Sequence, residues 1–213
     1  MKGLIYKDLL LLKKQFSTML LFILVYGGLC AAGVFDLSII GALIAVFGLT
    51  IPMTSVSMDD ATHWDRYAVA TPAGRKQVVA GKYLFTLLIV LSGSLVGCVI
   101  MVILSLAGLT DTSPVEMGSI ALSCGVVTLL LDSILLPFML KYGAERARMI
   151  SMITFVLIFG GSILLGGLIQ RSAFPPLPAW LAAALPLLLA LAAIVSFFAS
   201  YCISQGIYRK KEF

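Results

Sequence analysis

Histidine occurs once in the 213 residues, at His63, and charged residues make up only 12% of the chain. A Ser-His-Asp triad would have to be built on His63, which stands beside Trp64 in a polar stretch and not in any apolar run. Metal sites need several His, Cys or carboxylate ligands in register, and none is visible. The four cysteines, Cys30, Cys98, Cys124 and Cys202, lie inside apolar runs without a CxxC pair, so they read as small buried residues. Glycine is also missing where a phosphate loop needs it. Ala80-Gly81-Lys82 has Lys76 five residues before Gly81 and Tyr83 after Lys82, which excludes nucleotide binding of that kind. The shortage of charge excludes most. Soluble domains carry about 25% charged residues. Here 61% of residues are hydrophobic and the mean hydropathy is +1.09, too much apolar surface for a water-soluble fold. Lipid must be the solvent for much of this chain.

What is present is a series of long apolar runs. Taking about 20 residues per crossing, the sequence predicts six transmembrane helices over 16–35, 38–58, 83–109, 115–140, 149–169 and 179–207. The runs are continuously apolar, without the period-two alternation of barrel strands, so the fold class is an all-α integral membrane protein. Pro52 interrupts the second run, Asp111 to Pro114 form a turn and helix start before the fourth, and a Pro-rich link, Arg171 to Pro178, precedes the sixth. The run after Phe16 is long for a signal-peptide core and is followed by further spans, so it reads as a retained anchor.

The basic residues are unevenly placed. Of 15 Lys and Arg, 14 fall before the first run, in 59–82, in 141–148 and at the C-terminus, and only Arg171 falls in the remaining loops. The positive-inside rule then puts both termini and both of those loops in the cytoplasm, with the protein in the cell membrane. The net charge of +5 is spread between apolar runs and not along one stripe, which speaks for headgroups and topology and against nucleic acid. Residues 1–15 place Ile5, Leu9, Leu12 and Phe16 at helical spacing among lysines, predicting an amphipathic interfacial helix. Gly93 and Gly97 form GxxxG, which serves either packing within one chain or dimerisation. One ionisable residue stands out within a run, Asp132. It reads equally as a cavity-lining group on a cargo path, or as a partner for Ser133 or a neighbouring helix.

The two predicted cytoplasmic loops carry most of the remaining information. In 59–82, Asp59 or Asp60 can open a short helix, Trp64 and Tyr67 fall on one face, Thr71-Pro72 breaks it, and Arg75 begins a helix that runs into the third span. The aromatics suit either headgroup anchoring or a docking surface for a cytoplasmic partner.

The stretch W-D-R-Y-x-x-x-x-P-x-x-R-K-Q-x-x-x-x-K-Y, Trp64 through Tyr83, resembles the permease subunits of ABC-2-type exporters. It is nearest to the small six-span branch typified by the membrane subunit of phenol-soluble modulin exporters. Leu136-Pro137 through Arg148 is similar to that branch's P-x-x-x-K-[FY]-G-x-E-[KR]-x-R segment, and Lys2 through Leu9 is also typical. The resemblance implies a permease without catalytic residues of its own, pairing with a second permease subunit, a homodimer in preference to a heterodimer, and with two copies of a stand-alone ABC ATPase that holds ATP and Mg. It implies that 59–82 is the main coupling segment and 141–148 a second one. Asp59, Asp60, Asp65, Arg66, Arg75 and Lys76 would be charged contacts, Trp64 and Tyr67 packed anchors, and Pro72 the break. Lys141, Tyr142, Glu145, Arg146 and Arg148 would form the second contact. The cargo would be hydrophobic or amphipathic, such as toxin or antimicrobial peptides. An ion-coupled secondary transporter would want several intramembrane charges, and a membrane scaffold or immunity protein would need no transport path.

Overall fold

The computed structural model describes residues 2–36, 38–64, 67, 74–108, 113–143, 146, 149–150, 152–154, 156, 160–161, 164 and 179–210. Among the described residues all regular structure is helical. The long elements are α1 (Lys2–Leu11), α2 (Lys13–Ala31), α3 (Ser38–Ala61), α4 (Gly74–Leu106), α5 (Pro114–Tyr142) and α6 (Ala179–Lys210). Four helices are long and apolar enough to cross a bilayer, Ile39–Ala61, Gly74–Leu106, Pro114–Tyr142 and Ala184–Lys210, and Gln15–Ala31 is a shorter apolar helix. The apolar run at 149–169 is described only at scattered positions, all helical, and the link 171–178 lies outside the described residues.

Local chemistry explains the boundaries. Ser113 caps α5 through a reciprocal capping box: its Oγ accepts from Glu116 N at 3.3 Å, and Ser113 N donates to Glu116 Oε2 at 3.2 Å, with Pro114 as the first helical residue. The far end of α5 stops at Gly143, whose φ of +80° is open to glycine but strained for other residues. Pro52 does not break α3, which runs continuously through it. The helix tolerates the missing N–H because neighbouring helices support it, and the carbonyl-bearing residue one turn back, Gly48, is packed directly against Thr128 of α5. Likewise α6 is continuous through Pro186.

The bundle is centred on α5, which packs against α3, α4 and α6, while α1 lies against α4 and α2 against α3. In lipid, apolar surface gains nothing by meeting more apolar surface, so association rests on close packing of small residues. The glycines report it. A Cβ on Gly41 would stand 2.9 Å from Cys124 Sγ, one on Gly48 2.6 Å from Thr128 Cγ2, and one on Gly125 2.9 Å from Ser94 Cβ. The GxxxG pair is used the same way: Ile44 of α3 fills the notch over Gly97 and reaches Gly93, so packing within the chain takes this face.

The N-terminal segment differs from the amphipathic reading. The helix ends at Leu11, not near residue 15, and Lys13 already begins the next helix. Its inward side carries Leu4 and Asp8, followed by buried Leu12 between the two helices, whereas Leu9 is exposed and the side chain of Ile5 lies outside the described residues. Polar side chains turn inward because partners wait there.

Candidate functional site

Those partners form a buried cluster at one end of the bundle. Lys82, one of the last charges before α4 becomes apolar, is only 7% exposed. Its Nζ lies 3.1 Å from both carboxylate oxygens of Asp8, 2.6 Å from Asp59 Oδ2 and 2.6 Å from Ser55 Oγ. Lys7 Nζ donates to Asp59 Oδ1 at 2.5 Å, stands 3.3 Å from Asp8 Oδ1 and lies over the Trp64 ring, 4.5 Å from its centroid. Two lysines and two aspartates thus neutralise one another and join α1, the end of α3 and the start of α4. Each aspartate accepts from both lysines, which is the condition under which buried charge is tolerated. Close backbone approach lets α1 reach this place: Gly81 has no side chain, and a Cβ there would meet Leu4 at 3.6 Å.

Asp59 and Asp60 therefore end α3 instead of opening the next helix, and Asp59 is buried within the chain. A turn follows, with His63 at φ +50°. Trp64 and Tyr67 do not share an environment. Trp64 is half-buried and packs against the cluster of Val78, Val79, Tyr83, Leu136, Leu140 and Tyr208, whereas Tyr67 is 66% exposed. Asp65, Arg66 and Pro72 lie outside the described residues, as do Glu145 and Arg148. Arg75 Nη1 donates to the Arg209 carbonyl at 2.6 Å, tying the start of α4 to the end of α6, and Lys76 is exposed. Asp60 reaches the end of α5, since a Cβ on Gly143 would lie 3.2 Å from its Oδ2. Lys141, Tyr142 and Arg146 are exposed, with Lys141 Nζ 4.9 Å from the Tyr142 ring centroid. The N-terminal helix, both basic loops and the C-terminal helix end thus meet at one end of the bundle.

Lys7, Asp8 and Lys82 were not among the residues singled out for a role by their sequence positions. The usable signal was that Lys7-Asp8 and Lys82 sit at the edges of apolar runs, where an unpaired charge is costly and a pair is needed.

A second polar group lies deeper. Tyr83 shares its hydroxyl with Ser200 Oγ at 2.6 Å and Ser204 Oγ at 2.7 Å, both on α6. Asp132 is 2% exposed and its Oδ2 has no hydrogen-bond partner. Ser133 does not serve it: its Oγ donates to the Leu130 carbonyl at 2.6 Å. Beside this group a groove of about 580 Å³ is lined by Tyr83, Leu84, Leu129, Phe197, Phe198 and Tyr201 among others. The Tyr83 ring meets Phe197 and Tyr201 edge-on, at centroid distances of 5.1 and 5.4 Å. Among the described residues no group of three or more His, Cys, Asp or Glu is arranged to hold a metal ion.

No curated protein and no solved structure matches this chain. The family model described as ABC-2 family transporter protein matches residues 3–209. That span takes in every helix described above and both of the basic segments between them, and the chain belongs to the ABC-2 family of transporter proteins.

Proposed function

We propose that this chain is the membrane-spanning permease subunit of an ABC exporter, driven by a separately encoded ATPase at the end where the basic segments meet. The observation that carries the reading is the family match over nearly the whole chain. On this reading the protein crosses the cell membrane six times with both termini in the cytoplasm, α1 lies at the inner interface, and two permease subunits, in a homodimer, work with two ATPase subunits. ATP and Mg sit on the ATPase, and the permease contributes no catalytic group. The cargo is hydrophobic or amphipathic, with toxin-like peptides as the first candidates, in keeping with the resemblance to phenol-soluble modulin exporters.

The segment 59–82 is the main coupling element and 141–148 the second. Within the first, the residues divide by where they sit. Tyr67 and Lys76, both exposed, meet the ATPase on this reading, and Asp65, Arg66 and Pro72 are assigned to the same contact by the resemblance. Half-buried Trp64 and buried Asp59 face the chain's own helices, so they carry motion from that contact to α1, α3 and α4. Asp60 and Arg75 link the segment to the ends of α5 and α6. Exposed Lys141, Tyr142 and Arg146, with Glu145 and Arg148, supply the second contact.

Tagged purification from native membranes in mild detergent tests this, with identification of co-purifying chains and an assay of ATP hydrolysis. A stoichiometric ABC ATPase is expected. Tyr67→Ala should lower its recovery while the permease stays folded. Trp64→Ala should retain the ATPase and lose transport, because its contacts lie within the permease. A pure permease with no ATPase would sink the proposal and favour an ion-coupled carrier or a membrane scaffold.

A further inference from the structure

We propose that the groove between the end of α5 and α6 holds one anionic phospholipid of the inner leaflet, its acyl chain lying in the groove and its phosphate meeting Lys141. The inference goes beyond the exporter reading and takes from it only that this end of the bundle faces the cytoplasm.

Two facing stripes make the groove. On α5, Ile134, Pro137, Phe138 and Lys141 recur at i, i+3, i+4 and i+7, which is one face of a helix. On α6, Ser196, Ser200, Ile203 and Ile207 repeat that spacing. With Ser133 and Ala199 they enclose about 450 Å³, within the usual size of ligand pockets, about 300–1,000 Å³. Small residues form the floor, where Ser133 and Ser200 are buried, and Ile134, Phe138 and Ile203 stand exposed along the sides.

The floor hydroxyls are already engaged. Ser133 Oγ donates to the Leu130 carbonyl at 2.6 Å, Ser196 Oγ donates to the Ala193 carbonyl at 3.0 Å, and Ser200 Oγ shares a hydrogen bond with Tyr83 at 2.6 Å. Along its length the groove therefore suits hydrocarbon. Lys141 is the exception. It is exposed, and among the described residues the ion pairs join Lys7, Lys82, Asp8 and Asp59 and leave Lys141 without a carboxylate. Its contact is the Tyr142 ring, 4.9 Å from Nζ to centroid, and that ring stacks on Phe138 at 6.2 Å. A lysine in the last turn also suits the helix dipole, but the dipole does not choose a face. Lys141 stands on the face that lines the groove.

The lengths agree as well. Lys141 lies eight residues after Ser133, about 12 Å along the axis at the helical rise. One leaflet of hydrocarbon is about 15 Å deep, half of the usual core. An acyl chain in the groove thus brings its phosphate level with the ammonium. Any groove that faces lipid fills with hydrocarbon, so the selection falls on the headgroup. A cationic amphiphile would meet Lys141 with like charge, and a neutral one would leave it unmatched.

Phosphatidylglycerol and phosphatidylcholine with the same photoreactive acyl chain are the probes. Each is added in trace amount to phosphatidylcholine vesicles that hold the permease without ATPase, and adducts are located by peptide mass spectrometry. The glycerol lipid should label 133–141 and 196–207 about fivefold more than the choline lipid, the factor expected of one lysine beside an anionic lipid. Lys141→Gln should bring the two probes level in those segments, and Lys141→Arg should keep the preference. Ala199→Trp, which fills the groove from α6 and leaves the charge in place, should lower labelling there by both probes. Free glycerol phosphate in excess should displace neither. Equal labelling by the two probes in the native protein, a preference that survives Lys141→Gln, or displacement by glycerol phosphate overturns the proposal. So does cross-linking of Ala199→Cys between two copies together with no labelling, which would make the groove an interface. The ATPase takes no part in the measurement, so failure here leaves the exporter assignment standing, and failure of that assignment leaves the lipid site measurable.

Discussion

At the scale of single residues, four of the chain's few charges are spent on one another inside the bundle. Lys82 is the clearest case. Four oxygens of three residues surround its Nζ within 3.1 Å, contributed by α1 and α3. Removing it leaves two buried carboxylates to share Lys7 alone, an excess of buried negative charge, and leaving a buried charge without its partner typically costs about 3–5 kcal/mol. We expect Lys82→Met to lower the thermal stability of the detergent-solubilised protein by that order, and Lys82→Met with Asp8→Asn to recover part of the loss. Equal stability of the single variant and the native chain would show that the cluster contributes little. The family resemblance implied Asp59 as a contact for a partner, and the loop sequence let it open a helix. It is instead buried in an internal pair, because nothing in a linear string tells which charge at the edge of a run finds a counter-ion from another helix. Asp132 was legible as exceptional from its setting in an apolar run. What it lacks, a partner for Oδ2, required the packing of three helices to see.

At the scale of elements, boundaries with local causes were readable and those with distant causes were not. The start of α5 was evident from Asp111 to Pro114, and the capping box at Ser113 accounts for it. Ser113→Ala should cost about 1 kcal/mol, the usual loss for a cap, visible as faster amide exchange over the first turn of α5 and nowhere else. The N-terminal helix faces inward in a way that its sequence did not display. Ile5, Leu9, Leu12 and Phe16 suggested an apolar stripe; Leu12, just past α1, is buried, whereas Leu9 is exposed and α1 turns Asp8 inward because Lys82 awaits there. Its register is set by partners 52 and 74 residues away. GxxxG was ambiguous by sequence and resolves into a notch filled by Ile44. Gly97→Val should therefore destabilise the fold by about 1–3 kcal/mol, the range for overpacking, without changing the number of subunits in the particle. Loss of a dimer with retained stability would place the glycine face between chains.

At the scale of the whole molecule, composition and charge placement declared a helical membrane protein, and the gathering of the four basic segments at one end is the architecture that such placement anticipates. Among the described residues four helices are long and apolar enough to cross a bilayer, and the run at 149–169 is described only in part. Cysteine accessibility scanning should find Lys76→Cys and Arg209→Cys modified only from the inner side in sealed vesicles. Labelling of either from outside would reverse the orientation. The neutral cluster has one more consequence, for ionic strength. Lys7, Asp8, Asp59 and Lys82 cancel among themselves, so the whole excess of five positive charges lies on other side chains. Buried pairs are screened far less by salt than exposed ones. A wash in concentrated salt should thus release whatever the surface charges hold while the helices stay locked, so that partners come off an intact permease and return when the salt is diluted.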